Sequence, residues 1–325
     1  MGGCQLSTSQ APVWSAKDAA NLSHTIVHNV EQVLQGKHLQ VEQALAAVMA
    51  GGHVLIEDVP GLGKTMLARA LAVSVGLSFK RIQFTADLMP SDIVGGPVYN
   101  PKDGSFVLRP GPVFANIVLA DEINRANPRA QSALLECMEE GQITLDGQTV
   151  ALPAPFTVLA TQNPIDMAGT YPLPEAQLDR FLIRLSLGYP DAETEAGLIT
   201  SQQFSHPITR LQPVCAVGDF ARLVACAHDV TVTPEIARFM TAIVAATRSH
   251  PAIRFGASPR GTLGLARMAR ALSCLRGRSY VDPAVVREVA VPVLAHRIIL
   301  QNQGSTPKSA EAVIQDILLS QRTPQ

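Results

Sequence analysis

From His53 to Gly188 the chain alternates short apolar runs with stretches of helical period. The runs HVLIE (53–57), KRIQF (80–84), NIVLAD (116–121), TVLAT (157–161) and FLIRL (181–185) are of strand length and β-rich. Parallel neighbours need a crossover long enough to hold a helix, so this alternation predicts a parallel sheet of the α/β class. The helices carry their own punctuation. One begins inside GLGKTMLARALAVSVG and stops at Gly76; another opens with Asn127 as N-cap and Pro128 in first position and closes at Gly141. After Pro190 the β signal fades. Thr233-Pro234 opens a helix whose Ile236, Phe239, Met240, Ile243 and Val244 form one apolar stripe, and Ser258-Pro259 and Asp282-Pro283 open two more. The pattern therefore divides into a loose arm over 1–20, tacked down by Trp14, an α/β domain over 21–200, and a separate helical domain over 212–325. The polar, proline-containing stretch 200–214 joins the last two.

Composition narrows the class. With 325 residues, 47% of them hydrophobic and 16% charged, the chain can bury a sizeable core. Lys and Arg total 26 against 27 acids, a formal charge of -1, so no global basic field exists to hold nucleic acid or an anionic membrane. Its five cysteines are scattered with no C-x-x-C pair, which fits reduced thiols in a cytoplasmic protein better than a disulfide frame or zinc site. The start lacks a secretory pattern, and the apolar runs fall short of the roughly 18 residues a membrane span needs.

The chemistry concentrates at strand ends. In VLIEDVPGLGKTMLARAL an apolar strand runs into a glycine-containing loop, and Lys64-Thr65 opens a helix. That order aims the backbone N–H groups of Pro60, Gly61, Leu62, Gly63, Lys64, Thr65 and Met66 (proline excepted) and a helix N-terminus at a phosphate chain. Lys64 would reach the β and γ oxygens of ATP, and Thr65 would place its hydroxyl on Mg2+. Asp58 stands where the formal pattern has its first glycine. NIVLADEINRA sets Asp121, a metal ligand, and Glu122, a general base for the attacking water, at the end of a buried strand. Asn163 ends the next strand and could bond the same water or the γ-phosphate. Arg180, just ahead of the last strand, could reach a neighbouring subunit's γ-phosphate as an arginine finger. Arg260, in the first turn of a helix, could close over the bound nucleotide.

Taken together, GGHVLIEDVPGLGKTMLARAL, LADEINRANPRAQSALLECMEEGQITLDG, ATQNPIDMAGTYPLPEAQLDRF and SPRG resemble a MoxR-type AAA+ ATPase over about residues 30 to 300. The resemblance implies a P-loop NTPase domain of ASCE type, a three-layer αβα sandwich with sheet order 5-1-4-3-2, followed by a small all-α lid. It implies a ring, usually a hexamer, with ATP sites between subunits. The roles it implies are Walker A for Lys64 and Thr65, Walker B for Asp121 and Glu122, sensor one for Asn163, finger for Arg180 and sensor two for Arg260. It further implies a chaperone-like remodeller of protein complexes, whose client is sometimes a von Willebrand factor A domain protein. Asp146-Gly147, within 142–152, predicts a type I′ hairpin preceding sensor one, and the Gly- and Pro-rich 85–111 corresponds to a helix-two insert. Both are open to a client-facing or a purely surface role. His24 and His28 share a helix face but lack a third metal ligand. Six arginines between Arg254 and Arg278 with no acid keep a nucleic-acid motor in view, against which stand the charge balance and the lack of interleaved aromatics. A slow nucleotide-dependent switch is the third reading.

Overall fold

A computed structural model describes residues 14–102, 104–145, 147–164, 169–201, 207–301 and 309–324. Helices α1 (Ala16–Glu31) and α2 (His38–Met49) lead into strand β1 (Val54–Glu57), α3 (Lys64–Ser74) and β2 (Phe79–Gln83). Then come α4 (Pro90–Val94), the ribbon β3 (Gly95–Asn100) with β4 (Ser105–Pro110), β5 (Ile117–Asp121) and α5 (Pro128–Glu140). A second ribbon, β6 (Gln142–Leu145) with β7 (Gln148–Ala151), precedes β8 (Thr157–Gln162), α6 (Glu175–Leu178), β9 (Ile183–Leu185) and α7 (Ala192–Ser201). The remainder is α8 (Val217–Asp229), α9 (Pro234–Ser249), β10 (Ile253–Phe255), α10 (Pro259–Leu275), α11 (Pro283–Leu294), β11 (Ile299–Leu300) and α12 (Ala310–Ser320).

The five strands foreseen from the apolar runs form one parallel sheet in the order β2-β5-β8-β1-β9, which in order of core strands is 5-1-4-3-2 read from the β9 edge. Side chains alternate across a strand, and the two faces sort into two cores. Val54, Ile56, Ile117, Leu119 and Leu159 pack with α1–α3 and the C-terminal helices. Leu55, Val118, Ala120, Val158 and Ala160 pack instead with Leu134, Leu135 and Met138 of α5 and Ile93 of α4. The result is three layers with phosphate-loop, acid pair and Asn163 all at the C-terminal edge of the sheet, where α/β folds bind ligands.

Several expectations change. The arm does not extend to residue 20: α1 starts at Ala16, because Ser15 and Asp18 cap it reciprocally, Asp18 N donating to Ser15 Oγ at 3.2 Å and Ser15 N to Asp18 Oδ2 at 2.9 Å. Residues 1–13 of that arm, residues 202–206 of the linker and Asp146 of the hairpin turn lie outside the described residues. The C-terminal helices do not form a separate core: Leu265, Met268, Ala269 and Leu272 of α10 join the same apolar cluster as α1 and α2. Nor is that region wholly helical, since β10 and β11 pair antiparallel. Helix N-caps at Asn127, Thr233, Ser258 and Asp282 fall where the sequence puts them, each side chain accepting a backbone N–H of the first turn. The stretch 85–111 is more than a loop, folding as α4 followed by the β3–β4 ribbon.

Candidate functional site

β1 delivers the chain to the phosphate loop, and the loop's shape depends on glycine. Gly61 and Gly63 have φ of 89° and 93°, left-handed values that side chains with a Cβ resist. Gly63 also has no room, since a Cβ there would lie 2.7 Å from Leu34 Cδ1. Gly63 caps α3, so that the helix begins at Lys64 with its free N–H groups facing a cavity of about 450 Å³. Pro60, Gly61, Gly63, Lys64, Thr65, Met66, Asp121, Glu122 and Asn163 line this cavity together; Leu62, Arg180 and Arg260 do not. The Lys64 ammonium donates to the backbone oxygens of Asp58 and Val59, the latter at 3.3 Å. Burial lowers its pKa, partly offset by the charges of Asp58, Asp121 and Glu122.

Asp58 takes no part in lining the cavity. Its carboxylate accepts from Leu187 N at 2.5 Å, from Ser186 Oγ at 2.8 Å and from Gly188 N at 3.4 Å, which ties the end of β1 to the end of β9. The residue that departs from the formal motif thus anchors the loop rather than cradling phosphate.

The acid pair is held with equal definition. Thr161 Oγ1 donates to Asp121 Oδ1 at 2.6 Å and accepts from Glu122 N at 2.8 Å. Glu122 sits at φ 57°, ψ 50°, the single non-glycine residue with positive φ among those described. A left-handed glutamate costs about 1–2 kcal/mol, and such strain concentrates at functional positions. Its carboxylate accepts from Gln83 Nε2 at 2.9 Å and pairs with Arg125 at 3.3 Å. Two hard oxygen donors, Thr65 and Asp121, share the cavity with Lys64, a donor set suited to Mg2+ bound along with phosphate oxygens.

A second cavity of about 460 Å³ lies elsewhere, between α5, the segment before β9, and α10. Arg180, Arg260, Arg267, Arg270 and Arg297 line it, with Glu139 and Asp179 the acids among them. Arg180 and Arg260 each place a guanidinium nitrogen 2.7 Å from a different oxygen of Glu139. Those hydrogen bonds and charges, Arg260's first, lower the Glu139 pKa. Arg260 is thus placed in the cavity of Arg180, and the cavity of Lys64 is lined without it. Ser258, the cap of α10, donates to Asp179 Oδ2 at 3.0 Å, and Arg297 donates to Asp179 Oδ1 at 2.7 Å. These bonds dock the start of α10 beside Arg180 and away from the phosphate loop.

Sequence reasoning missed Arg81, Gln83, Thr161 and Glu139. Arg81 and Gln83 were visible only as polar positions on a strand, and Glu139 as one of several acids on α5.

Residues 53–183 match the model of the ATPase family associated with various cellular activities (AAA), and residues 245–317 match the AAA lid domain. An uncharacterized protein YeaC of Bacillus subtilis is 48% identical over 92% of this chain and 93% of its own length. Chaperone MoxR1 of Mycobacterium tuberculosis is 40% identical over 97% of this chain and 87% of its own. A crystal structure of a protein from Cytophaga hutchinsonii, described provisionally as an ATPase, superposes with a TM-score of 0.87 at 37% identity, covering 95% of this chain and 97% of that one.

Proposed function

The chain belongs to the MoxR-type AAA+ ATPases, and on that premise we propose that it hydrolyses Mg2+·ATP at sites shared between subunits of a ring and uses the cycle to remodel a protein client. Lys64 and the N-terminus of α3 hold the terminal phosphates, where their positive charge meets the anion. Thr65 and Asp121 would hold Mg2+, which when bound would supply a Lewis acid to the phosphate oxygens. Glu122 takes the proton of the attacking water, and Asn163 orients that water or the γ-phosphate. Arg180 and Arg260 act together on the γ-phosphate of the neighbouring subunit.

The observation that carries this reading is the separation of the two cavities. The phosphate loop and acid pair line one, while the paired arginines line the other. A subunit arranged in this way supplies half of two sites, which closes into a ring when the contact repeats head to tail. The chaperone relative and the apolar β3–β4 ribbon support a protein client. On that ribbon Tyr99 and Phe106 pair across the strands with ring centroids 5.5 Å apart and are 55% and 70% exposed. A von Willebrand factor A domain protein is one client of this kind.

Mixing two inactive variants tests the shared site. Lys64→Ala keeps its arginines and Arg180→Ala keeps its phosphate loop, so neither hydrolyses ATP alone. Mixed rings contain interfaces that unite an intact loop with an intact Arg180, and ATPase activity returns on mixing. Failure of any activity to return, with assembly intact by light scattering, would sink the shared-site ring.

A further inference from the structure

β2 is the edge strand of the sheet, and its side chains reach over the end of β5. Arg81 on this strand donates twice to Asp121 Oδ2, from Nη2 at 2.6 Å and from Nε at 3.1 Å. The same Nη2 lies 2.6 Å from Gln83 Oε1. Asp121 is buried, at 8% exposure, and its other oxygen already accepts from Thr161. A buried carboxylate beside a second acid is costly unless a cation meets it, and the guanidinium does so with charge-assisted hydrogen bonds. Arg81 and Asp121 both line the phosphate cavity.

We propose that Arg81 is the resident counter-cation of Asp121, neutralising the metal-binding carboxylate before metal binds and giving way when Mg2+ arrives with the nucleotide. The inference rests on the reading of the cavity as a Mg2+·ATP site and adds a positioning residue to it. Mg2+ binds through oxygen at short range. A divalent ion on Asp121 therefore meets the guanidinium as a like charge contending for the same carboxylate. The arginine can leave: its side chain is 49% exposed and hangs from an edge strand, so water receives it when it swings out. Arg81 thereby sets how much free Mg2+ is needed to load the site, and it keeps the acid pair from repelling phosphate before the metal is present.

The test is the affinity of the full-length protein for a slowly hydrolysed ATP analogue, measured by fluorescence titration across a range of free Mg2+. Direct Mn2+ binding followed by electron paramagnetic resonance is the second readout. Replacing the cation by a neutral side chain, Arg81→Gln or, should that variant fold poorly, Arg81→Met, removes a competitor bound through charge-assisted hydrogen bonds. The midpoint in free Mg2+ then falls about fivefold to tenfold, and Mn2+ binds correspondingly more tightly. In EDTA the same variants bind the analogue more weakly than wild type, because the uncompensated Asp121 faces the phosphates. Arg81→Lys keeps a cation and stays within about twofold of wild type in both conditions. A purely structural arginine would change the melting temperature and leave the Mg2+ midpoint in place, and an unchanged or raised midpoint in the neutral variants overturns the proposal while the nucleotide site stands. If Mg2+ gives the wild-type protein no gain in affinity, the reading of the cavity itself fails and this inference fails with it.

Discussion

Asp58 shows how one residue out of pattern is explained by what it touches. Glycine at this point would satisfy the formal phosphate-loop motif, yet the aspartate is buried and accepts three hydrogen bonds from residues 186–188. Asp58→Gly would leave two backbone N–H groups and a hydroxyl without their acceptor. The expected cost is about 3 kcal/mol, since unsatisfied buried donors lose their full desolvation penalty. Urea unfolding measures that cost, and nucleotide titration should show weaker binding in the variant. Tighter binding by the glycine variant would mean that Asp58 is a compromise in the motif rather than its anchor. Glu122 makes the same point from the backbone side. The residue foreseen as general base is also the one held in a left-handed conformation, so the chain tolerates local strain there to aim a carboxylate into the cavity.

At the scale of elements, the docking of α10 and α11 onto the segment before β9 hangs on Arg297. Its guanidinium, on a side chain 3% exposed, donates to both the carboxylate and the carbonyl of Asp179 and to the carbonyls of Phe181, Leu182 and Val293. One side chain thereby satisfies the irregular backbone between Arg180 and β9 and fixes the lid against it. Arg297→Met keeps the apolar stem and removes the donors, leaving the half-buried Asp179 without its cation. Removing one partner of a fully buried pair costs about 3–5 kcal/mol, and the partial exposure of Asp179 puts the expected loss at the lower end of that range. Calorimetry of the variant should show a lower and broader transition as the lid loses its hold. ATP hydrolysis should fall too, because Arg180 and Arg260 lose their common footing. A variant with wild-type melting would show the lid to be held by the apolar contacts of α10 alone. The helices themselves were legible beforehand. Caps such as Asn127, Ser258 and Asp282 act within three residues of the helices they open, and a signal of that range can be read along the chain.

For the whole molecule, acid is the sharpest test of how the layers hold together. His53, at the foot of β1, accepts from Val158 N at 3.0 Å through Nδ1, and its Nε2–H lies 3.0 Å from Met138 O. This neutral tautomer joins β1 to β8 and α5, and burial lowers its pKa to about 4. His296, whose Nε2 lies 3.0 Å from Phe181 O, is lowered well below its ordinary value, first by burial and then by Arg297. A histidine lowered on folding binds its proton more readily in the unfolded chain. Stability is therefore full above the unfolded pKa near 6.5 and is lost as the pH falls towards the folded value. His53 alone should remove about 3 kcal/mol between pH 7 and pH 4. His53→Gln can donate to Met138 O and accept from Val158 N, and its unfolding free energy should vary less steeply over that range. Equal slopes for the two proteins would assign the acid sensitivity elsewhere. Charge at this scale also bears on the basic run within the lid. Arg260 pairs with Glu139 and Arg276 with Glu42, acids from distant segments, while Arg276 also pairs with Glu288 and Arg278 with Asp282 four residues on, so three of the six arginines of that run are matched by acids. Among the described residues no helix is long and apolar enough to cross a membrane.

What the sequence alone determined is whatever depends on neighbours along the chain: the five strands, the caps, the glycines and helix start of the phosphate loop, and the acids closing β5. Periodicity and capping are short-range physics, and they survive being read in one dimension. Tertiary structure decided the rest. Arg81 meets Asp121 across 40 positions, and Arg260 meets Glu139 across 121. Arg260 is a helix-start arginine in the sequence whichever cavity it serves. Only the packing of α10 against the Asp179 segment assigns it to the cavity of Arg180, because a guanidinium takes its role from the carboxylate that folding places within hydrogen-bond reach.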